Sequence, residues 1–180
     1  MRPILIKRCS STPSAEELAQ LTTLINGVYE TAEAGLWKTV EGRPAQRTTQ
    51  QEIAALCSKR QLLLAYSEEQ IVGSVNTVVL SSSVAEFGML VAAPNRRGEG
   101  IGRALVQAAE LWGKKQGCCT IQLELLTPKT WTHPVKAFLH EWYTRIGYKP
   151  IKTEPFEEGY GHLAPYLATP CDFTIYHKSL

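Results

Sequence analysis

Residues 97 to 103 read Arg97-Gly98-Glu99-Gly100-Ile101-Gly102-Arg103, three glycines at alternate positions between an apolar run and a helical pattern. No other stretch limits the fold as much. Val84 to Ala92 reads as a strand halted by Pro94-Asn95-Arg96-Arg97-Gly98, and the spacing after it predicts a helix from about Gly100 to Trp112 or Lys115, with Ile101, Ala104, Leu105, Ala108 and Leu111 inward. Glycines relax the φ restriction and let the backbone approach a ligand. The first turn of a helix leaves N–H groups without intrahelical acceptors at the positive end of its dipole. Strand, glycine loop and helix start together predict a cradle for a phosphate. As a mere connector, the loop would lose about 1 kcal/mol of helix propensity at each of Gly100 and Gly102 for nothing gained.

The kind of phosphate narrows by elimination. The dinucleotide pattern G-x-G-x-x-G fails because Gly98-x-Gly100 is followed by Arg103, and no Gly-Lys-Ser/Thr follows to hold a nucleoside triphosphate.

The other elements follow from periodicity and end signals. Ile4 to Arg8 alternates as a first strand. Thr12 and Pro13 suit the N-cap and first position of a helix striped by Leu18, Leu21, Leu24, Ile25 and Val28, which Gly35 helps to end. Thr49-x-x-Glu52 is a capping box for a short second helix through Leu56, with Lys59-Arg60 at its end. Gln61 to Tyr66 and Ile71 to Leu80 predict an antiparallel hairpin across Ser67 to Gln70. Thr120 to Leu126 is a strand after the Gln116-Gly117 stop. Val135, Phe138, Leu139, Trp142 and Ile146 stripe a helix closed by Gly147, and strands follow at about Tyr148 to Lys152 and Phe173 to His177. Thr153 to Pro170 reads as a long loop. Nothing linker-like divides the 180 residues, so one domain, 1–180, is expected. A strand–helix–strand unit requires a right-handed crossover, which predicts that Val84 to Ala92 and Thr120 to Leu126 lie parallel within a mostly antiparallel sheet.

Composition bounds the partners. With 44% hydrophobic and 20% charged residues the chain is of the globular class, and a net charge of +2 is too small to drive nucleic-acid binding over the whole surface. No apolar run approaches the roughly 18 residues of a membrane span. Cys9, Cys57, Cys118, Cys119 and Cys171 are odd in number and scattered, and read as reduced thiols in a cytoplasmic protein. His133, His140, His162 and His177 never take a metal-ligand spacing, so no metal is expected.

Arg97-x-x-Gly100-x-Gly102, entered from Glu86-Phe87-Gly88-Met89-Leu90-Val91-Ala92, resembles the acetyl-coenzyme A signature of the GNAT N-acetyltransferase superfamily. Trp142-Tyr143-Thr144-Arg145-Ile146-Gly147-Tyr148 is similar to its common Leu-Tyr-x-x-x-Gly-Phe pattern. The resemblance is strong from about Gln61 to Pro150. It implies an α+β fold: a central mixed, mostly antiparallel sheet flanked by about four helices, with a parallel strand pair in the middle. It also implies acetyl-coenzyme A as co-substrate. The backbone N–H groups of Arg97, Gly98, Glu99, Gly100, Ile101, Gly102 and Arg103 would hold the pyrophosphate. Leu90, Val91 and Ala92 would pair with the pantetheine arm and polarise the acetyl carbonyl. Where the family often has asparagine, seven positions before the tyrosine, this chain has Lys136, a cation that could instead face a phosphate.

In the family's mechanism an amine attacks the thioester directly, so the cysteines need no catalytic role. An alkylammonium, pKa about 10.4, must first lose a proton. Glu86, four residues before Leu90 and by strand period two on its face, is the candidate base; the other reading is a polar residue starting a strand. Tyr143 is the candidate acid for the thiolate, against a reading as core packing. Arg96 either steers phosphates or solubilises the loop. His133 and His162 read as solvated loop residues or acceptor contacts. The resemblance puts the acceptor site at Glu33-Ala34-Gly35-Leu36-Trp37, Thr130-Trp131-Thr132-His133 and Glu157-Glu158-Gly159-Tyr160, where aromatics beside carboxylates would suit a cationic amine. The expected function is N-acetyl transfer to a primary amine of a small molecule or an amino terminus, without nucleic acid or membrane; a homodimer is compatible with it. The alternative is a coenzyme A-binding sensory or scaffolding module without turnover.

Overall fold

A computed structural model describes residues 3–39 and 46–180. In chain order they form β1 (Leu5–Arg8), α1 (Ala15–Ala32), α2 (Gln50–Ser58), β2 (Leu62–Ser67), β3 (Gln70–Val79), β4 (Val84–Ala92), a 3-10 turn (Pro94–Arg96) and α3 (Ile101–Lys115). Then come β5 (Thr120–Pro128), α4 (Pro134–Arg145), β6 (Lys149–Pro155), α5 (Phe156–Tyr160), a second 3-10 turn (Ala164–Tyr166) and β7 (Cys171–Ser179). The seven strands make one mixed sheet in the order β1-β2-β3-β4-β5-β7-β6. Its parallel pair is β4 and β5, as the crossover rule requires. By contacts the chain divides into two compact units, one from the described residues of 1–28 and 46–121 with Leu180, the other from those of 29–45 and 122–179.

In the first unit the β2–β3 hairpin turns through Glu68 and Glu69, with φ of 50° and 68°. Two consecutive positive φ values match the right-handed twist of the strands they join. α2 starts at the expected capping box: the Glu52 N–H donates to Thr49 Oγ1 at 3.2 Å, and the Thr49 N–H to Glu52 Oε2 at 2.9 Å. α1 starts two residues later than Thr12-Pro13 implies. Ser14 and Glu17 close a box of their own, with reciprocal bonds of 3.1 and 2.9 Å, and this stronger cap sets the first turn.

α3 presents a different side to the sheet than its apolar spacing implies. Leu111 is 59% exposed, while Val106, Ala109 and Gly113 are buried beside Ile101 and Leu105. The cause is close approach. A Cβ on Gly113 would lie 3.2 Å from that of Ala85, and one on Gly73 would lie 2.7 Å from the Val91 carbonyl oxygen and 2.8 Å from Ile101. Small residues on both elements let the helix sit hard against β3 and β4, which rotates Leu111 outward.

Cys9 and Cys57 form a disulfide between the end of β1 and the last turn of α2, Cα atoms 5.6 Å apart. This corrects the reduced-thiol reading for that pair. Cys118 and Cys171 are buried free thiols, and Cys119 is exposed.

In the second unit, Thr153 to Pro170 is ordered structure rather than loop. β6 continues to Pro155, and α5 buries Phe156 in a cluster with Leu36, Leu126 and Cys171. The α4 stripe also departs from expectation: Phe138 is 45% exposed, and the buried positions are Lys136 and Tyr143. Tyr143 packs its ring on Tyr148 and Tyr176, so aromatic contacts rather than aliphatic spacing set the inner face.

Candidate functional site

The glycine loop opens toward space. Gly98 and Gly100 have φ of 88° and 82°, and a Cβ added to either would meet nothing within 4 Å. Gly100 in the left-handed region is the N-cap of α3 and offers no side chain to the first turn. The first bond into that turn is from the Ala104 N–H to the Gly100 carbonyl, 2.9 Å. The amides of Ile101, Gly102 and Arg103 therefore have no acceptor within the helix. Arg96 holds the loop from behind. Its guanidinium donates to Glu99 at 2.7 and 3.0 Å and to Ser67 Oγ at 2.9 Å, which raises its pKa, first through the bond to Glu99. Arg96 braces the loop onto the β2–β3 hairpin, a role that neither sequence reading gave it. Such a cradle fits a pyrophosphate: bare amides, a helix dipole, room where side chains would stand, and a fixed backbone.

β4 carries a bulge immediately before this loop. Ser74 pairs with Val91 and Asn76 with Gly88, so three steps on β4 span two on β3. Met89 takes a φ of 48°, unusual for a side chain of its size. The extra residue overturns one expectation. Partners across a pair share a face, so Glu86, Gly88 and Val91 point one way, and Leu90 no longer shares the face of Glu86. Glu86 itself is half-buried opposite Val78, and Leu90 and Ala92 are half-buried while Val91 is buried. A cavity of about 290 Å³ opens beside the bulge, lined by Arg47, Thr48, Glu52, Ala55, Leu56 and Met89.

In the second unit Tyr143 is buried, and burial pushes its phenol well above the usual range, so it stays a neutral donor. Lys136 is buried too, its ammonium 2.9 Å from Glu33 Oε1, while the other Glu33 oxygen accepts from Trp37 Nε1 at 2.6 Å. Lys136 is thus paired with Glu33 rather than offered to a phosphate. His133 is buried, not a solvated loop residue. Its Nδ1 accepts the Val135 N–H at 3.2 Å as the N-cap of α4, and burial, then Lys136, lowers its pKa. His162 is exposed. Trp131 is partly exposed and stacks near His133, and Tyr160 donates to Glu124 at 2.7 Å. Glu157 lies 3.9 Å from Lys129.

Residues 58–150 match the family model described as an acetyltransferase (GNAT) domain. The chain belongs to the GNAT acetyltransferase family. Its fold agrees over nearly its whole length with PaiA N-acetyltransferase from Thermoplasma acidophilum in complex with coenzyme A, at TM-score 0.72 and 18% identity, covering 99% of both chains. Ribosomal-protein-alanine N-acetyltransferase from Brucella melitensis aligns at TM-score 0.69 and 16% identity, over 98% of this chain and 99% of that one. An aminoglycoside 6'-N-acetyltransferase complexed with coenzyme A also aligns at 0.69 and 16%, over 97% and 96%. Among curated proteins, none matches the chain at the level of sequence.

This GNAT chain is thus an acyltransferase whose glycine loop lies inside the matched segment. Sequence reasoning passed over four residues of the first unit. Gly73 had a visible signal, a lone glycine inside a strand pattern, and its missing side chain lets α3 dock beside the loop. Met89 had none, because Met89-Leu90-Val91 reads as unbroken strand. Ser74 and Asn76 each keep a buried oxygen without a partner, Oγ and Oδ1, directly across from the bulge.

Proposed function

We propose that the chain transfers an acetyl group from acetyl-coenzyme A to a primary amine of a small molecule or an amino terminus, by direct attack in a ternary complex. The observation that carries this reading is the bare, left-handed start of α3 at Gly100, where open space and unpartnered amides suit a pyrophosphate. The amides of residues 97–103 would bind it, and the backbone of Leu90, Val91 and Ala92 would align the thioester arm. Glu86 would take a proton from the ammonium, leaving a nitrogen lone pair to attack the carbonyl carbon. As the C–N bond forms and the C–S bond breaks, the sulfur leaves with its electron pair and takes a proton from Tyr143, and the second proton that the nitrogen sheds on becoming an amide restores the phenol. Burial keeps the phenol protonated at any pH where the amine reacts, so Tyr143 presents an O–H to the departing sulfur, while the same shift makes it a weaker acid.

The test is release of free thiol from acetyl-coenzyme A across a panel of amines, with the N-acetyl product confirmed by mass. Turnover is expected with a primary amine, and Glu86→Gln should lose most activity near neutral pH and recover it as pH rises and free amine forms unaided. Coenzyme binding with no thiol release from any amine would instead support the module without turnover.

A further inference from the structure

The second unit holds a buried hydroxyl that the reaction above does not use. Tyr176 on β7 is 2% exposed, and its ring lies beside that of Tyr143, centroids 6.4 Å apart. The Tyr176 hydroxyl meets His140 Nδ1 at 2.6 Å, a short bond between an oxygen and a nitrogen. His140 precedes Tyr143 by three positions on α4, a spacing that makes the two neighbours on the helix surface, and it is exposed. A buried tyrosine needs only one partner, and a backbone carbonyl would serve. The partner here is instead a side chain that, when neutral, holds a proton on one ring nitrogen and a lone pair on the other, with access to water. Burial first, then Tyr29 and Tyr176, raise the Tyr143 phenol, so the phenols sense one another's charge, and burial raises Tyr176 as well.

A phenolate left at Tyr143 after proton donation to sulfur would be a buried charge without compensation, which is costly. We propose that Tyr176 and His140 form a proton path from solvent to Tyr143, positioning residues that restore its phenol as it gives up its proton. The inference goes beyond the acetyl-transfer reading above but rests on its assignment of Tyr143. Before transfer, His140 Nδ1–H donates to the Tyr176 oxygen, which leaves the Tyr176 O–H to donate to the Tyr143 oxygen, directly or through one water. As the Tyr143 O–H bond breaks toward sulfur, the Tyr176 proton passes to the Tyr143 oxygen and the Nδ1 proton passes to the Tyr176 oxygen. Nε2 takes a proton from water, so the ring ends neutral in its other tautomer and no charge is stranded. The second proton of the substrate nitrogen, released to water, replaces the one taken there, and thus reaches the phenol by this route. Exchange with water at the exposed ring and rotation of the hydroxyls reset the path.

The experiment measures kcat and KM for thiol release, with the fastest amine of the panel, in Tyr176→Phe, His140→Gln and His140→Ala, each alone and combined with Tyr143→Phe. Tyr176→Phe keeps the ring and should lower kcat by about tenfold or more, with KM for acetyl-coenzyme A unchanged. His140→Gln still offers the Tyr176 hydroxyl a hydrogen-bond partner but cannot exchange a proton, so it should lose as much. His140→Ala should regain activity with added imidazole, which can reach an exposed position. A merely structural partner would be replaced by glutamine and would not answer to imidazole. In Tyr143→Phe none of the three should lower kcat further, because the path ends there. Independently of turnover, the ¹⁵N signals of the His140 ring are expected to shift when coenzyme A binds the wild type and to stay fixed when it binds Tyr176→Phe. Wild-type kcat in Tyr176→Phe or His140→Gln, or ring signals indifferent to coenzyme A, would overturn the path. A loss confined to Tyr143→Phe sinks the path and keeps the acid, whereas full kcat in Tyr143→Phe sinks both. No thiol release from any amine, with ring signals that answer coenzyme A through Tyr176, sinks acetyl transfer alone.

Discussion

α3 and α4 begin in opposite ways. At α4 the His133 ring accepts the Val135 N–H, and Pro134, which has no N–H to satisfy, fills the first helical position. α1 and α2 are closed likewise by Ser14–Glu17 and Thr49–Glu52. α3 begins on left-handed Gly100 with no side-chain cap at all. Capping is worth about 1 kcal/mol to a helix, so α3, bare where α1, α2 and α4 are capped, has given up that stability. The donors withheld from side chains there are the ones an anion can use.

The contrast breaks most severely at Gly100. Gly100→Val should weaken coenzyme A binding by about 100-fold or more, a loss of about 2.7 kcal/mol, because its side chain would stand in the open space of the cradle. The left-handed backbone should cost about 1–2 kcal/mol of stability besides. Calorimetric titration with a melting curve checks both, and normal binding would place the cradle elsewhere.

Coenzyme A should itself act as the missing cap. At a hundredfold excess over its Kd it should stabilise the protein by about 2.7 kcal/mol, roughly 5 to 10 °C for a chain of this length, with NAD and ATP doing much less. A thermal-shift series in which NAD equals coenzyme A would contradict the assignment.

At the closed end the effect should be smaller and purely structural. His133→Ala removes the α4 cap and should lower stability by about 1 kcal/mol with coenzyme affinity unchanged, while His133→Asn, a good capping residue, should restore it. Chemical denaturation beside a binding titration separates the two quantities.

The smallest effect is in pH. His133 titrates below its ordinary value in the fold, because burial and then Lys136 disfavour the imidazolium, so below about pH 6.5 the unfolded chain takes up the proton first. Stability contributed by the neutral ring is present above that pH and is lost as pH falls toward the folded value. Melting temperatures between pH 7.5 and 5.5 should show this slope, and His133→Asn should flatten it.

Much of the first unit was legible because its signals are local. The Thr49–Glu52 box, the hairpin about Glu68-Glu69, the span of β4 and the glycine loop all depend on residues within a few positions of one another. What escaped depends on partners far along the chain. The Met89 bulge is defined by β3, the Leu111 face by the small residues Gly73 and Ala85, and the disulfide by two cysteines 48 residues apart. In the second unit a buried lysine reads as surface until Glu33, 103 residues away, is known to meet it. The roles of Glu86 and Tyr143 belong to chemistry, which burial alone does not assign.

The bond between Cys9 and Cys57 alters the statistics of the unfolded chain more than it alters the fold. Closing a ring of this size removes about 4 kcal/mol of loop entropy from the denatured ensemble in the chain-entropy account. That contribution needs no contact in the native state, so no substitution that preserves the packing of α2 can replace it. It vanishes when a reductant opens the ring, even if every other side chain of β1 and α2 stays where it was. The tolerance of this molecule to heat therefore has a part set by the thiol content of its surroundings.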